Sequence, residues 1–166
     1  MIFTFENLVS LPCWKARLGY ANVFLLDIGE KIPCNSPKLK GEFKGEYTLE
    51  VLMGEWTITK HDSIFVSSIG LERIESVNGL DCEGGLEKNK AFEMEVGKIK
   101  CLQDLIVKRV SINDQELRFD FGDYELIVSN SDDKDVAAWR LFLPGHLMIE
   151  ASKNNYQFAR SDKVVK

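Results

Sequence analysis

The sequence predicts a mainly β protein, all-β or α+β, with antiparallel sheets from two pseudo-repeated β-units and one or two short helices. Three observations carry that reading. First, a line of residues recurs. Asp27-Ile28-Gly29-Glu30, Tyr47-Thr48-Leu49-Glu50-Val51, Trp56-Thr57-Ile58 and Ile64-Phe65-Val66 are followed later by Asp120-Phe121-Gly122-Asp123, Tyr124-Glu125-Leu126-Ile127-Val128, Trp139-Arg140-Leu141 and Leu147-Met148-Ile149. Second, the two versions differ in length only between these apolar runs, which is how diverged copies of one β-unit behave. Third, strand signals dominate, most clearly from Leu117 to Val128, where apolar residues alternate with polar ones at period two, the pattern of a half-buried strand.

Taken in order, the first unit spans about residues 8–69. Leu8, Leu11 and Trp14 open it, and a strand from Val23 to Ile28 leads to Gly29-Glu30. Lys31 to Glu46 then read as a long excursion, because Pro33, Pro37, Gly41 and Gly45 punctuate them. The Tyr47–Val51 strand precedes a hairpin of Trp56–Lys60 and Ile64–Ser67 around His61-Asp62-Ser63.

Between the units, Leu71, Ile74 and Val77 fall at helical spacing, so Gly70 to Val77 is expected as a short helix ending at Asn78-Gly79. A glycine-rich loop is expected over Asp81–Lys90, then a strand in which Phe92, Met94 and Val96 alternate with Glu93 and Glu95.

The second unit, about 99–151, opens with a turn of helix at Ile99, Leu102 and Leu105 or Ile106, followed by a strand from Val107 to Ile112. Leu117 to Val128 form the firmest hairpin. Gly122-Asp123 supplies a type II′ turn whose first position needs positive φ, which pairs Phe121 with Tyr124 and Phe119 with Leu126. An acidic loop leads to the second tryptophan hairpin, Trp139–Leu143 and Leu147–Glu150 around Pro144-Gly145-His146. Residues 152–166 read as a polar C-terminal tail with a fraying end.

The bulk numbers fit one domain over residues 1–166, with 45% apolar residues and no run long enough to cross a membrane. The N-terminus has no basic flank before a signal-type core, and a cytoplasmic location is expected. Cys13, Cys34, Cys82 and Cys101 are scattered without a C-x-x-C pair, so they are read as reduced thiols, with no cofactor and no metal. The net charge of −5 argues against nucleic-acid binding and suits a basic partner.

Chemical motifs are sparse. His61 and His146 are the two histidines, both in turns after a tryptophan strand, and no H-x-x-x-H spacing accompanies them. They are read as turn residues rather than metal ligands or proton carriers. No cysteine sits in a nucleophile context, there is no G-x-S-x-G, and Gly84-Gly85 lacks a phosphate-loop setting, so no catalytic residue is assigned. Lys31, Lys38, Lys40 and Lys44 make the excursion basic, but Glu42 and Glu46 dilute it and Phe43 alone offers a stacking surface, as in a solvated loop.

The leading constellation is acidic. In the predicted register Asp120 lies across from Glu125, Asp123 sits in the adjoining turn, and Asp132, Asp133 and Asp135 crowd the next loop. Opposed like charges destabilise a sheet, and a basic protein partner would relieve them. These six residues are the candidate partner-binding set.

Gly54-Glu55-Trp56 resembles the G-x-W near the start of lipocalin and fatty-acid-binding barrels, which implies an alternative function as a small-molecule-binding β-barrel or half-barrel with a cavity beside Trp56 or Trp139. The stretch from Asp120 to Val128, with Trp139-Arg140-Leu141 and Pro144 after it, resembles small bacterial β-rich proteins, some of them grouped with immunity proteins against polymorphic toxins. That likeness covers Leu105 to Ile149 and implies a non-enzymatic, protein-binding or regulatory role.

Overall fold

In a computed structural model that describes residues 2–78 and 85–160, the chain is mainly β, with two antiparallel sheets. The strands are β1 (Pro12–Leu18), β2 (Phe24–Pro33), β3 (Phe43–Val51), β4 (Trp56–Lys60), β5 (Ser63–Ser67), β6 (Leu105–Ile106), β7 (Arg109–Ile112), β8 (Glu116–Asp120), β9 (Tyr124–Ser129), β10 (Trp139–Leu143), β11 (Leu147–Ser152) and β12 (Asn155–Arg160). The helices α1 (Ser68–Asn78) and α2 (Gly85–Gly97) follow β5. One sheet has the order β12-β11-β10-β3-β2-β1-β6, the other β5-β4-β9-β8-β7.

The order shows an exchange. β1, β2 and β3 receive the Trp139 hairpin, β10-β11, while β7, β8 and β9 receive the Trp56 hairpin, β4-β5. The joining registers correspond residue for residue: Trp139 pairs with Val51 and Leu141 with Leu49, just as Trp56 pairs with Val128 and Ile58 with Leu126. The approaches to the sheets correspond too. Short 3-10 turns at Phe5–Leu8 and Lys98–Leu102 bury Leu8 and Leu102 and end at Ser10 and Asp104, both with positive φ. The Ser10 N–H then donates to Val107 O (2.7 Å), and the Asp104 N–H to Cys13 O (2.7 Å).

Both sheets contribute to one buried cluster that includes Leu26, Ile28, Leu49, Leu141 and Ile149 from the larger sheet and Ile58, Leu117, Phe119 and Leu126 from the smaller. Phe24 of β2 meets Trp56 of β4 across the gap, ring centres 4.8 Å apart. A shared core of this kind is the main source of stabilisation, since each buried large apolar side chain contributes roughly 1.5–3 kcal/mol.

The β8-β9 hairpin has the expected register, with Phe119 opposite Leu126 and the Phe121 N–H donating to Tyr124 O (2.9 Å). Gly122 has φ 98°. Gly54 is needed for a different reason: a Cβ there would collide with the carbonyl oxygen of Ser129 and lie 3.2 Å from that of Ala138. The loop before Trp56 is thus pressed against the loop before Trp139, and the G-x-W glycine is a close-approach residue.

Several expectations are corrected. Phe92, Met94 and Val96 belong to α2, not to a strand: Phe92 and Val96, four apart, both pack on the core, while Met94 is 74% exposed on the opposite side. Five alternating residues satisfy either period, and a neighbouring run of Leu, Glu, Lys and Ala favours the helix. The loop expected over Asp81–Lys90 becomes helix from Gly85, and Asp81–Gly84 with Cys82 lie outside the described residues. The excursion is also shorter than expected, because β2 continues past Gly29 to Pro33 and β3 begins at Phe43. A one-residue register shift between Ile28 and Lys31 absorbs Gly29, whose φ is 84°.

The Val107–Ile112 strand is divided, β6 joining one sheet and β7 the other, with buried Val107 between them. The polar tail is strand as far as Arg160, where Tyr156 and Phe158 alternate in register with Ala151 and Ile149 of β11. Residues 161–166 lie outside the described residues.

Candidate functional site

The six acidic residues fall into two groups at opposite ends of β9. Asp120 and Glu125 are directly paired across β8 and β9, with Asp123 in the turn beside them. Asp132, Asp133 and Asp135 follow the far end of β9, a six-residue strand that spans about 17 Å.

The first group is also neutralised internally. Arg118 Nη1 is 3.1 Å from Glu125, its Nε donates to Glu116, and Arg109 lies 3.7 Å from Asp120. Hydrogen bonding to Glu116, then the charges of Glu116 and Glu125, raise the Arg118 pKa against the opposing effect of desolvation. The repulsion expected of opposed carboxylates is therefore relieved within the sheet, on a partly exposed face where each pair contributes at most a modest amount. The exposed Asp loop is organised by itself: Asp133 Oδ1 accepts the Asp135 N–H (2.8 Å), and the Ser131 hydroxyl donates to Val136 O (2.9 Å).

Trp56 and Trp139 are both buried in the core. Trp139 is fully buried and its Nε1 donates to Asn130 Oδ1 (3.0 Å). The cavity beside Trp56 is about 240 Å³ and has Asn22, Ser68, Glu72 and Glu75 in its walls, so it is not the apolar chamber of a lipocalin-like barrel.

A larger depression lies on the opposite side of the seven-stranded sheet from the core. Strand alternation turns Asp27 away from Leu26 and Ile28, which are in the core, and aligns it with Lys15, Thr48 and Phe142 on the outer face. The extended ends of β2 and β3, the 34–42 connection and the Pro144-Gly145-His146 turn wall this face into a groove of about 580 Å³. Arg17, Asp27, Phe43, Lys44, Thr48 and Phe142 line it, and Cys34 and His146 reach it from two sides without a hydrogen bond to each other.

Asp27 is 1% exposed. Its Oδ1 accepts hydrogen bonds from the Gly45 N–H (2.9 Å) and the Thr48 hydroxyl (2.7 Å), whereas buried Oδ2 has no partner among the described residues. Its sequence counterpart, Asp120, is half-buried and caps its own turn, Oδ1 accepting the Gly122 N–H (2.8 Å). The same Asp-x-Gly segment thus yields a surface turn in one unit and a covered carboxylate in the other. Sequence reasoning missed Asp27 as a site residue. The available signal was the difference between the copies, since the excursion that roofs Asp27 has no equivalent beside Asp120.

A second hollow of about 420 Å³ adjoins the groove, sharing Leu143 and Pro144, and is walled mainly by Ile2, Phe3, Tyr47, Leu147 and Phe158. Ile2 is 88% and Phe158 58% exposed. An aromatic chain runs beneath, Tyr47 to Phe3 (6.0 Å), Phe3 to Phe5 (5.5 Å) and Phe5 to Tyr156 (6.4 Å).

Among the described residues no group of three or more His, Cys, Asp or Glu side chains could hold a metal ion, and no helix is long and apolar enough to cross a membrane. Burial, then the Asp27 carboxylate, push the Cys13 thiol up to about 12, and burial pushes Cys101 up to about 11. The unfolded chain ionises these thiols near 9.0, so the sign follows: their contribution to stability is intact below pH 9 and falls as pH rises toward 12. Urea midpoints measured from pH 8 to 11 are expected to decline above pH 9, and a Cys13→Ala variant should decline less steeply.

Compared with known proteins, the chain matches no family model, no curated protein and no solved structure at a significant level.

Proposed function

We propose that this is a non-enzymatic protein-binding protein that takes an extended segment of its partner along β12. The observation that carries the reading is the position of β12: among the described residues it ends the seven-stranded sheet, pairs on one side only with β11, and lies beside the exposed apolar hollow of Ile2, Phe3, Leu147 and Phe158. An open strand edge offers backbone hydrogen bonds to an added strand, and adjacent apolar pockets give that strand its side-chain specificity. Exposed apolar surface gathered in one patch is also the usual mark of a protein interface. An immunity-like role, in which a small β-rich protein caps a toxin, is one form of this reading, and a toxin gene beside this one would support it.

The acidic surface gives a second, narrower reading. Asp132, Asp133 and Asp135 remain exposed, and a basic partner is the chemistry they suit. Crosslinking in host extract separates the two. A specific adduct that persists at high salt and in an Asp132, Asp133 and Asp135→Asn variant, but disappears with Phe158→Lys, is the expected result. Loss with salt and with the Asn variant, and retention in Phe158→Lys, would move the interface to the acidic loop.

A further inference from the structure

We propose that the groove over Asp27 is a binding site for a small zwitterion with an apolar body, of the α-amino acid class. A buried acceptor without a donor costs roughly 1–3 kcal/mol, more when charged, and native proteins tolerate few of them. Asp27 Oδ2 is such an acceptor, on a side chain whose other oxygen is held by Gly45 and Thr48. That anchoring fixes the second oxygen, which is itself buried, and Asp27 lines the groove.

The complementary charge is already present and unused. Arg17 lines the same groove and makes no ion pair among the described residues. It pairs in register with Leu25, two residues along β2 from Asp27, so the two lie diagonally on one face, a separation typically of about 7–8 Å between backbone positions. They form no ion pair with each other. Glu42, Lys44 and Glu46 line the groove as well and Lys15 is Asp27's direct cross-strand partner, so the groove presents charges of both signs: a lone cation at Asp27 would meet Arg17 and Lys15, and a lone anion at Arg17 would meet Asp27. A ligand with an ammonium and a carboxylate on one carbon satisfies both, the ammonium donating to Oδ2 and the carboxylate accepting from the guanidinium.

The rest of the lining suits the ligand's side chain. Phe43, Phe142, Leu39, Leu143 and Pro144 supply apolar walls, and a volume of about 580 Å³ falls within the range of small-molecule sites. The groove adjoins the hollow beside β12, sharing Leu143 and Pro144 with it, but the proposal does not depend on a protein partner.

Calorimetric titration of the full chain with L-leucine and L-phenylalanine tests the proposal, with phenethylamine and 3-phenylpropionate as analogues lacking one charge. Saturable binding of at least one amino acid is expected. Each single-charge analogue should bind about tenfold more weakly or worse, and Asp27→Asn and Arg17→Met should each reduce affinity by about tenfold or more, the range for a hydrogen bond to a charged group. No binding of either amino acid at millimolar concentration overturns the proposal. So does wild-type affinity in either folded variant, or an amine that binds as tightly as the amino acid. If Asp27→Asn fails to fold by circular dichroism, Arg17→Met, at a half-buried position, and the analogue series decide the matter.

Discussion

Replacing Trp139 by alanine is expected to lower the free energy of unfolding by about 4 kcal/mol, a large share of the roughly 5–15 kcal/mol that holds an ordinary domain together. The side chain is fully buried, and its strand is paired on both sides, with Val51 of β3 and with Ala151 of β11. Truncation would therefore open a void at the seam where the second unit's hairpin joins the first unit's strands, and would leave Asn130 Oδ1 without the indole N–H it accepts. Trp56→Ala should cost less, on the order of 3 kcal/mol, because the cavity already beside Trp56 gives its neighbours room to relax. Urea unfolding of both variants measures the difference. Equal losses would show that the two seams are energetically equivalent despite that cavity.

Separating the two halves of the chain should abolish folding of each. A fragment of residues 1–78 keeps β1, β2 and β3 but loses the β10-β11 hairpin that covers β3, while its own β4-β5 hairpin is left without β9. A fragment of residues 85–166 has the converse defect. Each would expose an unpaired strand edge and half of a core built from both sheets, and a core of that size does not offset the conformational entropy of the chain. Neither fragment alone is expected to show a cooperative thermal transition, and mixing them in equal amounts should restore one. A fragment of 1–78 that melts cooperatively as a monomer would contradict the exchange as the basis of stability.

Local features were the legible part of this fold. The β8-β9 hairpin could be read to the residue because period-two alternation meets a glycine that must take positive φ, and both constraints act over a few neighbouring positions. The helix α1 was legible for the same reason. The α2 segment was misread because five alternating residues fit two periods, and the choice was made by which of them meets the core. β12 was hidden by polarity, since an edge strand with exposed side chains has no apolar stripe to announce it.

The candidate sites divide in the same way. Asp120 and Glu125 were correctly placed opposite one another, yet Arg118 and Arg109 compensate them, and that depends on the neighbours each strand acquires. Asp27 stood in plain view within the repeated Asp-x-Gly, but nothing local distinguishes it from Asp120.

By itself the sequence determined the β class, the strand-and-turn vocabulary and the order in which each unit uses it, because backbone sterics and side-chain alternation are short-range. Only the tertiary structure decided which unit's strands receive which tryptophan hairpin, and so which face of β2 is roofed. Burial is a property of everything packed around a residue, and that is why one of two equivalent aspartates remains at the surface while the other lies covered.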